Sequence, residues 1–164
     1  MGERPQPILD ATCGGRMMWF DKHNPSVLYI DNRKLERTRL CDGRLFGVSP
    51  DMLADFTQLP FPDNHFKLVV FDPPHLIRAN DDAYMAIKFS KLPASWETVL
   101  YNGFWECMRV LDNLGTLIFK WSEIQIPTGK VIDAIGCKPL FGHISGRKSK
   151  THWMAFMKRV SDCE

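Results

Sequence analysis

The apolar run Leu68-Val69-Val70-Phe71 ends in Asp72-Pro73-Pro74-His75, residues whose types could hold a hydrogen-bond donor in place. Four apolar residues rich in valine predict a buried parallel strand. The two prolines fix successive φ angles at about −65° and bring no backbone N–H. The corner that remains offers acceptors only, the Asp72 carboxylate and the backbone carbonyls. Open α/β sheets bind their ligands at the carboxyl ends of strands, where this corner falls. Its natural guest is a group with two hydrogens to donate, such as an exocyclic amine. Asp-Pro-Pro also occurs in ordinary turns, so its meaning rests on what precedes it.

Pro7-Ile8-Leu9-Asp10 is a short apolar run that breaks into Ala11-Thr12-Cys13-Gly14-Gly15. Arg16 to Phe20 predicts a short helix, so the glycines fall where nucleotide-binding α/β units place their phosphate loop. The spacing matches neither GxGxxG nor a P-loop. Gly14 and Gly15 would admit a ligand close to the backbone without requiring a pyrophosphate. Val27 to Ile30 predicts a second strand that ends on Asp31. An acid about 20 residues past a glycine loop is placed to bond a ribose diol; the alternative is an Asp that caps the next segment. Residues 32–47 are basic, with leucines too sparse for a helical stripe, and predict an irregular segment. Asp51 to Phe56 predicts a third strand with Asp55 and Phe56 at its tip. Asp10, Asp31, Asp55 and Asp72 would then share one edge of a parallel sheet.

Beyond His75, residues 76–93 interleave Arg78, Lys88 and Lys91 with Tyr84 and Phe89. That pattern suits single-stranded or flipped-out nucleic acid, and equally an ordinary surface connection. Ser95 and Glu97 open a helix with an inward stripe of Leu100, Phe104, Cys107, Met108 and Leu111, ended by Gly115. Thr116 to Trp121 predicts a fifth strand; Lys120 and Trp121 lie at its tip, where residues are more often structural than catalytic. Thr128 to Ile135 predicts a helix with Gly136 as its C-cap. Residues 139–145 and 151–159 then predict two strands joined by Gly146-Arg147-Lys148-Ser149-Lys150.

The 164 residues suit one domain, 1–164, with a sizeable core. Lys+Arg 21 against Asp+Glu 19 gives +2, so overall charge neither demands nor forbids an anionic partner. The local clusters Arg33, Lys34, Arg37, Arg39, Arg44 and Arg147, Lys148, Lys150, Lys158, Arg159 are solvated faces or phosphate contacts. Five widely spaced cysteines without a CxxC pair argue against a disulfide framework and against a zinc site. No signal peptide and no apolar run of membrane-spanning length is present, which leads us to expect a cytoplasmic protein.

The order and spacing of these pieces, over residues 7–160, resemble class I S-adenosylmethionine-dependent methyltransferases. Within them the chain is similar to the amino-methylating DNA methyltransferases with a DPPY-type motif, including small phage and prophage versions. The resemblance implies an α/β, Rossmann-like fold: a mostly parallel seven-stranded sheet with a C-terminal antiparallel hairpin and helices on both faces. It implies that Asp10 to Gly15, with Ala11, Thr12, Cys13 and Gly14, form the loop for S-adenosylmethionine. Asp31 would take the ribose, Asp55 and Phe56 the adenine, and no metal is required. Asp72, Pro73, Pro74 and His75 would be catalytic. His75 stands where the family usually has Tyr, Phe or Trp stacked on the target base, so Phe89 or Trp121 would assist. Phe89, Lys120, Trp121, Arg147, Lys148 and Lys150 would border the substrate.

The implied reaction is methyl transfer to an exocyclic amine of a base flipped out of, or supplied without, a duplex. Asp at the first motif position leans towards adenine N6, in DNA rather than RNA. An RNA base, a protein amide, or an inactive cofactor-binding subunit are the alternatives. Six residues precede Pro7, so the helix that usually covers the cofactor's methionine end is missing or supplied elsewhere. A separate target-recognition domain does not fit, so sequence readout would come from residues 76–93, from the 143–150 hairpin, or from a second chain in a homodimer or a separate specificity subunit.

Overall fold

The computed structural model describes residues 6–80, 84–144 and 148–159. In chain order the first strands are β1 (Ile8–Asp10), β2 (Val27–Asp31), β3 (Leu35–Arg39), β4 (Leu45–Val48), β5 (Met52–Leu53) and β6 (Phe66–Phe71). Helices α1 (Tyr84–Phe89) and α2 (Trp96–Val110) follow, then β7 (Leu111–Ser122), α3 (Thr128–Ile135), β8 (Phe141–Ile144) and β9 (Thr151–Met157). Seven strands form one sheet in the order β5-β2-β1-β6-β7-β9-β8, and β3 and β4 form a separate pair. The pairs from β5 through β7 are parallel, whereas β9 runs antiparallel to both β7 and β8. The apolar run ahead of Asp72 is thus the middle strand, flanked on each side by three others.

Alternation along the strands divides the side chains between two faces. Leu9, Ile30, Val69, Phe71, Leu117 and Phe119 are buried in the main core, beneath Leu100, Phe104, Cys107 and Met108 of α2 and Val131 and Ile135 of α3. On the other face Cys13, Val27 and Tyr29 form a smaller cluster covered by Trp19, whose ring meets Tyr29 edge-on at 5.4 Å. Gly103 of α2 lets a ring into the layer between helix and sheet. A Cβ there would stand 2.5 Å from Cδ2 of Phe56 and 3.0 Å from Cζ of Phe71.

Three expectations are corrected. Residues 16–20 are turns rather than a helix: Arg16 sits at φ 53°, and its guanidinium bonds Lys22 O, Ser49 O and Asp51. Residues 32–47 are not irregular but contain the antiparallel β3–β4 hairpin, turned at Asp42-Gly43 with Gly43 at φ 82°. Asp-Gly between alternating residues is a hairpin signal; the basic exposed face of β3 hid it, because only Phe46 and Val48 of the pair are buried. Helix α2 ends at Val110, before Gly115, and β7 begins at once. Its register with β6 jumps from Phe66↔Leu111 to Leu68↔Thr116, which loops out the intervening residues with Leu114 at φ 60°.

Lys158 also leaves the basic cluster to which its sequence position assigned it. Its ammonium is buried and donates to Asn64 Oδ1, Arg109 O and Leu111 O at 2.8, 3.0 and 2.9 Å. It satisfies carbonyls at the end of α2 that no helical N–H reaches.

Gly103→Ala sets two known magnitudes against each other. Alanine gains up to about 1 kcal/mol of helix propensity, while overpacking a filled core costs about 1–3 kcal/mol. Because the obstructing atoms belong to a ring already held against Phe71 at 5.2 Å, the second wins. Urea denaturation should therefore show the variant less stable than wild type by about 1–2 kcal/mol.

Candidate functional site

The parallel register of β1, β2 and β6 brings three strand ends together. The chain leaves β1 with the Ala11 amide donating to Val70 O and the Cys13 amide to Ile30 O. Residues 11–13 are therefore strung between the two neighbouring strands. Asp10 is fully buried beneath this loop, and its carboxylate accepts Trp19 Nε1–H at 2.7 Å and the Thr12 amide at 3.2 Å. Burial pushes its pKa up to about 7, against those two donors. Asp10 thus shapes the loop from below and is not among the residues facing the cavity above it. Gly14 follows at φ 48° with open space where a Cβ would stand, a conformation and an approach that favour glycine.

Asp31 closes the second side. Oδ2 accepts the Gly14 amide at 3.0 Å, and Oδ1 accepts the Arg33 amide at 2.9 Å and Nε at 3.1 Å. The Arg33 guanidinium also reaches Ile87 O in α1 at 3.2 Å. Asp55 and Phe56 lie just past β5, which is a two-residue strand and not the six-residue one expected. Asp55 is exposed and accepts the Thr57 amide and hydroxyl, both at 2.8 Å. Phe56 is buried on Phe71 and lines the cavity.

The third side is the Asp72 corner. The Asp72 amide donates to Thr12 Oγ1 at 2.8 Å, and its Oδ2 is paired with Lys120 Nζ at 2.7 Å. Burial pushes the Asp72 carboxyl up, and the ammonium of Lys120 opposes that shift. His75 is buried and does not face the cavity. Its ring lies against Phe89 at 5.2 Å and Trp121 at 6.4 Å, and burial followed by the charge of Lys120 lowers its pKa to about 4. The expected stacking position is therefore taken by the packing of His75 beneath Phe89, and Phe89 is the ring at the cavity wall.

These groups enclose one cavity of about 260 Å³. Residues 11–15, Asp31, Asp55, Phe56, Asp72, Pro73 and Pro74 line it, joined by Lys120 and Phe89. Trp121 is fully buried, with Nε1 bonded to Ile126 O, so it supports the wall rather than forming it. Lys148 and Lys150 are exposed on the β8–β9 connection and do not line the cavity; Arg147 lies outside the described residues.

Sequence reasoning missed two contributors and the form of a third. Residues 76–93 were expected to border the substrate through Phe89, but not the helix α1 that, with Ser90 to Pro93, roofs the cavity. Arg33 was legible only as one member of a basic cluster. Gln125 accepts the amides of Ile77 and Arg78 at 2.7 and 2.8 Å and donates to Arg78 O at 2.7 Å, which pins the chain just after His75. No pattern in the sequence marks a glutamine 50 residues downstream for that task.

A scan against protein-family models and a search of curated proteins return no match. Solved structures do resemble the chain. A Pyrococcus horikoshii protein superposes with TM-score 0.56 at 13% identity, over 93% of this chain and 81% of that one. A SAM-dependent methyltransferase from Leishmania major gives TM-score 0.52 at 15% identity, over 90% and 63%. At such identities the likeness is one of fold. The class that fold defines is Rossmann-like α/β with the seven-stranded, mostly parallel sheet of a methyltransferase. Among the described residues no helix is long and apolar enough to cross a membrane.

The buried His75 has a pH consequence. A histidine at 6.5 when unfolded and about 4 when folded binds its proton first in the unfolded chain, so the stability present above pH 6.5 is lost as pH falls towards 4. His75→Phe should shrink the difference in urea-unfolding free energy between pH 7.5 and pH 5, relative to wild type.

Proposed function

We propose that the protein is an S-adenosylmethionine-dependent N-methyltransferase acting on the exocyclic amino group of a nucleic-acid base, with adenine N6 in DNA as the substrate. The observation that carries this reading is the sharing of one cavity by two unlike halves. One half is the Gly14 loop with Asp31, and the other is the Asp72-Pro73-Pro74 corner, whose prolines bring no N–H and whose carboxylate is paired with Lys120. The first half fits the cofactor: Gly14 permits close approach, Asp31 offers carboxylate oxygens for a ribose diol, and Phe56 offers an apolar ring for adenine. Bound there, S-adenosylmethionine would supply an electrophilic methyl on a sulfonium.

The second half acts on the amine. An exocyclic nitrogen is a poor nucleophile because its lone pair is conjugated with the ring. Asp72 and the Pro73 carbonyl each accept one N–H, which draws the nitrogen towards tetrahedral geometry and directs its lone pair along the cavity. Fixed acceptors aimed at developing positive charge contribute a few kcal/mol, and alignment of the two reactants contributes several more. Helix α1 and Phe89 exclude water from above. The carboxylate needs only to be ionised, which the Lys120 ammonium favours; proton loss follows transfer. A single cytoplasmic domain acting on DNA whose base is flipped out completes the reading, with a second copy or a specificity subunit to hold the duplex.

The test is incubation with methyl-labelled cofactor and separate DNA, RNA and protein pools, followed by identification of the modified group. Label in N6-methyladenine of DNA is expected. Label confined to RNA or protein overturns the substrate, and a bound cofactor with no transfer overturns the activity. Asp72→Ala should lower transfer by at least about 100-fold while leaving cofactor affinity unchanged. Asp31→Ala should weaken cofactor binding by about 10-fold or more in calorimetry, the loss of a charge-assisted bond.

A further inference from the structure

We infer that Lys120 is a specificity-determining residue: with Asp72 it presents an acceptor and a donor side by side, a pair that reads an amino group next to an unprotonated ring nitrogen. The inference deepens the methyltransferase reading and rests on it. Lys120 and Asp72 lie side by side one residue past the paired Phe71 and Phe119, Asp72 just beyond the end of β6 and Lys120 two residues before the end of β7. Their side chains meet at 2.7 Å, and both line the cavity with Pro73 and Pro74. The ammonium has three hydrogens, of which Asp72 takes one. Its other side faces Trp153, the cross-strand partner of Lys120, with Nζ 5.6 Å from the ring centroid. The aromatic face and the carboxylate together hold the ammonium at the mouth of the acceptor corner.

An acceptor corner alone would hold any amine. The adjoining ammonium narrows the choice. Adenine N6 lies beside N1, and cytosine N4 beside N3, both of which accept a hydrogen bond. Each base can therefore donate to Asp72 and accept from Lys120 along its Watson–Crick edge, the edge by which flipped bases are read. On that Watson–Crick edge guanine N2 lies beside N1–H, a donor that would face the ammonium without an acceptor between them; its bare N3 lies on the sugar side of the ring. An alkylammonium group would be repelled by like charge. His75 adds no competing charge, because it is buried and neutral at physiological pH. The substrate class is thus an amidine-like edge, N–H beside a bare ring nitrogen.

The experiment uses single-stranded oligonucleotides that carry one target: adenine, 1-deazaadenine, in which N1 is replaced by C–H, or guanine. Transfer from labelled cofactor and oligonucleotide affinity are measured for the wild-type protein and for Lys120→Met. Wild type should favour adenine over 1-deazaadenine by about 10-fold or more in kcat/KM and leave guanine unmodified. Lys120→Met should lose a similar factor on adenine, and its adenine to 1-deazaadenine ratio should fall to about one. A merely structural role would lower both rates and keep the ratio. Equal wild-type rates on adenine and 1-deazaadenine, or an unchanged ratio in the variant, overturn the inference and leave the methyltransferase reading standing. Absence of transfer to every base overturns both. Should Lys120→Met not fold, the wild-type comparison alone decides.

Discussion

One hydrogen bond joins the two halves of the cavity, from the Asp72 amide to Thr12 Oγ1 at 2.8 Å. It is available because β1 and β6 are parallel neighbours in register, with Asp10 opposite Val70. Two strands that run the same way and end level must release their chains at the same place. The glycine loop and the proline corner therefore open side by side, and Thr12 ties them where the strands stop. The loop also bonds Ile30 O through Cys13, so the ends of β2, β1 and β6 behave as one rim. Every other group at the cavity is placed by reference to that rim.

The electrostatics of the rim follow from the same crowding. Asp72 and Asp31 lie close enough to Asp10 that each raises its pKa, after burial has done most of the work. The structure answers with separate partners for each. Trp19 and Thr12 serve Asp10, Arg33 and Gly14 serve Asp31, and Lys120 serves Asp72. Of these three acids, the two that line the cavity, Asp31 and Asp72, have a cation, whereas the fully buried Asp10 has neutral donors only. This division keeps negative charge at the cavity wall and away from the core, where an unpaired ion costs several kcal/mol.

Parts of the molecule depart from a regularly wound α/β sheet, and each departure bears on the rim. Turns stand where a helix after β1 was expected, held by Arg16 bonded across to Ser49 O and Asp51. A β3–β4 hairpin follows β2, and its Phe46 ring packs so close to Gly15 that a Cβ there would stand 2.9 Å away. Arg33, at the start of that insertion, spans Asp31 and the backbone of α1. The roof over the cavity is thereby fastened to the acid on its far side. Beyond the roof, Gln125 fixes the backbone after His75 through three bonds.

The sequence by itself determined the strands that lead to Asp10, Asp31 and Asp72 and where they stop. Apolar runs of strand length broken by Asp10, Asp31 and Asp72 announce where each strand stops, because a carboxylate interrupts the apolar pattern and a Pro-Pro pair has no N–H to continue a ladder. It also determined α3 and its left-handed Gly136 cap, and the pairing of the last two strands, all local signals. What tertiary structure alone decided were contacts between residues far apart in the chain. His75 became a buried neutral ring beneath Phe89, Lys158 a buried clasp on the end of α2, and Lys120 the partner of Asp72 48 residues away. A lysine at a strand tip reads the same in sequence whether it faces water or a carboxylate. Only the parallel register of β6 and β7 sets it against Asp72, and register is a property of paired strands, absent from either one alone.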